Sequence, residues 1–140
     1  MQRVISALAA QSGLGYALVR VYTAVVLFTY GYQKVFHQGL SAVAAGFEEL
    51  GIPLPSVTGP FIGLLELIGG GLLFLGLFTR WLGALFAVEF TVAAYVEWAI
   101  RNKGYAGSLL ELYILVAAVL LATNGAGRYS LDALFRRADA

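Results

Sequence analysis

An all-α, multi-pass membrane bundle of four helices follows from three observations. The 140 residues are 60% hydrophobic and 12% charged, against roughly 45–50% and 25% in soluble domains. Mean hydropathy is +0.81. The apolar residues gather into four runs, each near the roughly 20 residues a helix needs to cross a bilayer core. A single domain accommodates the whole length, 1–140. A net charge of +1 without a basic stripe leaves no footprint for nucleic acid. The chain has no cysteine and one histidine. That excludes disulfides, thiol redox chemistry, thiolate metal sites and, within one subunit, a bis-His haem. No metal site is expected, and a redox role has to borrow an organic cofactor or a partner.

The N-terminal segment, MQRVISALAAQSG, has too short an apolar core for the roughly 7–15 residues of a signal peptide. It reads as a short amphipathic helix on the membrane face. Span one covers about 14–35. In the stretch 38–56, Leu40, Val43, Ala44, Phe47 and Leu50 recur at helical spacing with Glu48 and Glu49 opposite. The pattern predicts a short amphipathic helix laid as a lid over one end of the bundle, then a turn at Gly51-Ile-Pro53-Leu-Pro55. Span two covers about 60–78, with Pro60 suited to its first helical position. Only Thr79-Arg80 separates it from span three, about 81–100, so these two are expected to form a tight antiparallel pair. Trp81 and Trp98 stand 17 residues apart, about 25 Å along a helix, as interfacial anchors would.

Span four covers about 109–123, and Ser108 and Glu111 have the spacing of a capping box at its start. Gly125-Ala-Gly127 ends it, and Ser130-Leu-Asp132-Ala-Leu-Phe135 begins an amphipathic tail. Arg3, Arg80, Arg128, Arg136 and Arg137 flank one side, and Lys34, Arg101 and Lys103 the other. The positive-inside rule therefore predicts a bacterial inner-membrane protein with both termini in the cytoplasm.

Charges inside the spans are the functional clue, because a carboxylate at mid-membrane costs roughly 3 kcal/mol or more. Counting rise per residue from the cytoplasmic side puts Arg20 about 9 Å and Glu89 about 12 Å deep. Their similar depth predicts a structural ion pair. Glu66 falls about 21 Å up, Glu97 and Glu111 about 24 Å, and Lys34 near the outer boundary. Three carboxylates around one lysine cannot all ionise cheaply in a low dielectric, which is what a proton-accepting or hydroxyl-binding site needs. Bland readings stand beside this one. Glu111 caps span four, Glu97 pairs in water with Arg101 at i+4, and Lys34 anchors at the interface. Tyr30, Tyr32, His37, Tyr105 and Tyr113 are near enough in sequence to join the cluster. Tyrosines there can flank a flat ligand such as a quinone ring.

These same residues resemble the DoxX family of small four-span bacterial membrane proteins. The likeness runs through Arg20, Gly31-Tyr-Gln-Lys34-Val-Phe36, Phe47-Glu-Glu-Leu-Gly51-Ile-Pro53-Leu-Pro55, and the glycine-rich Gly63 to Arg80 segment with Glu66. It continues through Glu111-Leu-Tyr113 and Gly125-Ala-Gly127-Arg128-Tyr-Ser130-Leu-Asp132. The resemblance implies a four-helix membrane bundle of the kind labelled an oxidoreductase or quinol-linked subunit. It also implies that Arg20, Lys34, Glu66 and Glu111 occupy the family's polar positions. Relatives often carry a histidine after span three, where this chain reads Glu97-Trp98-Ala-Ile-Arg101.

The leading expectation is a quinone-linked redox accessory subunit in the lipid bilayer, working with a partner redox enzyme subunit. Glu66 would exchange a proton or bind a hydroxyl, Lys34 would hold an anionic or carbonyl oxygen, and Glu111 and Glu97 would tune the site. Tyr32, His37 and Tyr113 are the further ligand-binding candidates. One alternative is a small-molecule carrier or permeation subunit, which requires a homo-oligomer. The other is a membrane scaffold in which the same charges are structural.

Overall fold

The structure, a computed structural model, describes residues 1–138, with the backbone alone for residues 7–12. Every regular element among the described residues is helical. Helix α1 runs Gln2–Tyr32 and passes into a π-helical turn, Gln33–Gln38. The N-terminal segment thus continues span one instead of forming a separate surface helix. Its 31 residues reach about 46 Å, half again the hydrocarbon thickness.

Helix α2, Leu40–Glu49, is the expected amphipathic connector. It ends at Gly51 (φ 72°), where Ile52 N–H donates to the Phe47 carbonyl. Helix α3, Pro55–Leu64, opens span two. Its first helical residue is Pro55, not Pro60. Leu54 takes a left-handed φ of 52° and turns the chain, so the earlier proline fills the position where a missing N–H is harmless. A π turn, Leu65–Gly69, and helix α4, Gly70–Leu75, complete the span.

Helix α5, Thr79–Tyr95, passes into a third π turn, Val96–Ile100, sealed by Arg101 N–H donating to the Val96 carbonyl at 2.8 Å. A short α6, Gly104–Gly107, leads to α7, Leu109–Asn124, and the chain ends in α8, Leu131–Ala138. Three helices are long and apolar enough to span a membrane, Gly13–Gln38, Pro55–Leu75 and Thr79–Ile100, and α7 is a shorter apolar fourth.

Successive spans pack as two pairs, one with two and three with four. Spans two and three were expected to pair tightly, yet α1 packs along span two and α5 along α7. Glycines set both close approaches. A Cβ on Gly31 would fall 2.1 Å from the Leu67 backbone nitrogen, and one on Gly83 would fall 2.5 Å from that of Ala122. Spans two and three meet instead through Phe86 and Leu82 side chains against Gly69. The two helix pairs close on one core of Ala24, Leu27, Leu73, Leu82, Phe86, Phe90, Ile114, Ala118 and Leu121. Outward-facing Leu18, Val25, Ile68, Val88 and Val116 are exposed, as a lipid-facing belt requires.

Candidate functional site

Lys34, Glu66 and Glu97 each lie in one of the three π turns. A π turn interrupts the regular hydrogen-bond ladder and is found frequently at functional sites. Here three of them fall at one end of the bundle, each re-aiming a charged side chain.

Lys34 Nζ donates to Glu66 Oε2 at 2.5 Å. Exposure divides this pair unevenly, 23% for the lysine side chain and 2% for the glutamate. The lysine stem reaches toward the surface while the carboxylate is sealed inside. The ammonium also stands 5.5 Å over the ring of Tyr30, one helical turn earlier on α1. The carboxyl group of Glu89 on α5 lies against that of Glu66 and within electrostatic reach of Lys34. The Oε2 atom of Glu89 is buried without a hydrogen-bond partner.

This contact corrects the expected Arg20–Glu89 ion pair. The depth count ran span two to Phe78, but α4 stops at Leu75. Gly76 (φ 74°) donates to the Leu73 carbonyl and Leu77 to that of Leu72, a glycine-closed helix end. Measured from the true helix ends, Glu66 and Glu89 both stand roughly 14 Å up their spans. Arg20 turns the other way. Its two terminal nitrogens donate to the carbonyls of Ala126 and Tyr129, both at 2.7 Å. It ties the chain after α7 to α1, beside Tyr16, whose hydroxyl donates to the Gly125 carbonyl.

Glu111 does not cap α7. Ser108 Oγ donates backward to the carbonyls of Gly104 and Tyr105, at 3.1 and 3.0 Å, and no side chain caps the helix. Glu111 Oε2 is left buried and without a hydrogen-bond partner. The Tyr30 side chain feels the charge of Glu111 most strongly, then Glu66, then Glu97, so this tyrosine sits amid the three acids. Glu97 is the best satisfied of them. Arg101 donates to its Oε1 at 2.8 Å, and the Lys103 ammonium faces its Oε2 at 2.6 Å.

The other candidates lie apart. Tyr32 meets Phe36 at a tilt, 4.9 Å between ring centres, and His37 edge-on at 5.5 Å, on an exposed face where α1 passes into its π turn. Two positions on from Tyr30, it points roughly 200° away from the acids. Tyr113 stands in the same relation to Glu111 and is exposed. Sequence reasoning set Glu66 too far up its span and so missed its contact with Glu89. The signal that corrects the depth of Glu66 was Gly76 followed by Leu77, a helix stop inside an unbroken apolar run.

The family model described as DoxX matches residues 15–98, a stretch that carries Lys34, Glu66, Glu89 and Glu97. The protein named "Putative oxidoreductase CatD" in Bacillus subtilis (strain 168) is 32% identical over 119 residues, 85% of either chain. No solved structure matches the chain significantly.

Proposed function

The chain belongs to the DoxX family, and on that premise we propose that it is a quinone-linked redox accessory subunit of a bacterial plasma membrane. The observation that carries the reading is the buried Lys34–Glu66–Glu89 array. A cation, two carboxyl groups side by side and an unpartnered acceptor oxygen stand together inside the bundle. A quinone or quinol supplies the two-electron couple when bound, with the electrons passing to or from a partner subunit. The chain supplies proton handling and charge. Lys34 holds a carbonyl or phenolate oxygen. Glu89 and Glu111 offer the unpartnered oxygens Oε2 as acceptors for a hydroxyl. Glu66 and Glu89 exchange a proton with the bound hydroxyl. The redox name carried by the Bacillus relative agrees with this reading.

The test is ligand-dependent stability in detergent. A quinone analogue is expected to raise the melting temperature of the wild-type protein by several degrees, and Glu66→Gln to abolish that rise. If the analogue fails to stabilise the wild-type protein, the quinone reading is lost. If Glu66→Gln melts lower yet keeps the full ligand response, the array is structural and the scaffold reading takes its place.

A further inference from the structure

The opposite end of the bundle holds a second polar feature, unrelated to the carboxylate array. Arg20 is only 3% exposed. Its terminal nitrogens are occupied by neutral carbonyls, and its Nε has no hydrogen-bond partner. No carboxylate among the described residues lies within ion-pairing distance of it, and Asp132 acts on it only from further off. A buried cation bonded only to dipoles keeps its full charge, and a charge without a counter-ion is the costly case.

At Arg20 opens a crevice of about 710 Å³ whose lining includes Arg128, Arg137 and Ser130 together with Phe74, Leu75 and Leu134. Its polar lining is cationic, and its apolar lining is continuous with residues that are themselves exposed, Phe74 at 49% and Leu75 at 48%. Helix α8 carries Leu134 and Phe135 exposed beside Arg136 and Arg137. That is the pattern of a helix lying in the membrane interface, with basic residues directed to headgroups.

We propose that this crevice is a binding site for an anionic phospholipid. Its phosphate sits between Arg128 and Arg137, over the buried charge of Arg20, and its acyl chains run down Phe74 and Leu75 into the bilayer. Charge complementarity selects an anion. The open apolar wall at the membrane edge selects a lipid over a free phosphate, which has nothing to place there. The lipid adds to the distant counter-charge of Asp132 the close anion that Arg20 lacks, and it fastens α8 to the bundle.

The experiment uses the full chain purified in a neutral detergent. Native mass spectrometry from micelles with equal phosphatidylglycerol and phosphatidylcholine is expected to show one phosphatidylglycerol retained per chain, and little phosphatidylcholine. Arg137→Gln, an exposed position, is expected to weaken that retention about fivefold, the effect of one basic residue near a lipid surface. Arg101→Gln, at the far end, is expected to leave it unchanged. Equal retention of the two lipids by the wild-type protein would overturn the proposal without recourse to any variant. Undiminished retention by Arg137→Gln would overturn the assignment of the site. Competition by millimolar inorganic phosphate that matches phosphatidylglycerol in affinity would show a general anion site and defeat the lipid assignment.

Discussion

Lys34 and Glu66 illustrate how unevenly a buried ion pair responds to losing either partner. Glu66 is sealed inside, while Lys34 has a path to the surface. Lys34→Met strands an acid in an apolar interior and is expected to cost about 3–5 kcal/mol, the range for breaking a buried pair. Glu66→Gln leaves a lysine that can swing outward, so its cost should be clearly smaller. The double variant Lys34→Met/Glu66→Gln removes both charges and should be more stable than Lys34→Met alone. Melting temperatures of the three proteins in one detergent check that order. Stabilities falling as Glu66→Gln below Lys34→Met would show that the lysine, not the carboxylate, is the trapped charge. The sequence already grouped the two, as one lysine among carboxylates carried by different spans. The Glu66–Glu89 contact was not legible in it, since a single misplaced helix end shifts every depth below it.

At the scale of elements, hydropathy located four spans and an amphipathic connector, since twenty apolar residues in a row can do little else. It could not say which spans touch. That depends on where side chains are missing, and Gly31 and Gly83 set the two closest approaches. The three π turns were equally invisible, because no residue preference distinguishes them from α-helix in an apolar run. Gly31→Ala must push α1 away from span two, since its Cβ would overlap the backbone at Leu67. Overpacking of this kind is expected to cost about 1–3 kcal/mol. The Gly71 position has nothing within 4 Å of an added Cβ, so Gly71→Ala should be neutral or stabilise by up to about 1 kcal/mol. Thermal melts of the two variants in parallel test this packing, and equal effects would contradict it.

For the whole molecule, the two ends differ in kind. One gathers Lys34, Glu66, Glu89, Glu97 and Glu111, and its cations are bound to acids. The other gathers Arg20, Arg80, Arg128, Arg136 and Arg137, with Asp132 their acidic neighbour among the described residues. Orientation in the membrane decides from which side protons reach the carboxylate array. The flanking arginines favour a cytoplasmic arginine end, which would direct the array toward the periplasmic half. The chain has no cysteine, so one introduced thiol is the sole target for a maleimide. Ala106 and Ala138, both exposed and at opposite ends, are suitable positions. With a membrane-impermeant maleimide on intact cells, Ala106→Cys is expected to label fully and Ala138→Cys only after permeabilisation. The reverse pattern would make the array draw its protons from the cytoplasm. A redox step there would then consume cytoplasmic protons on reduction, instead of releasing or taking them outside.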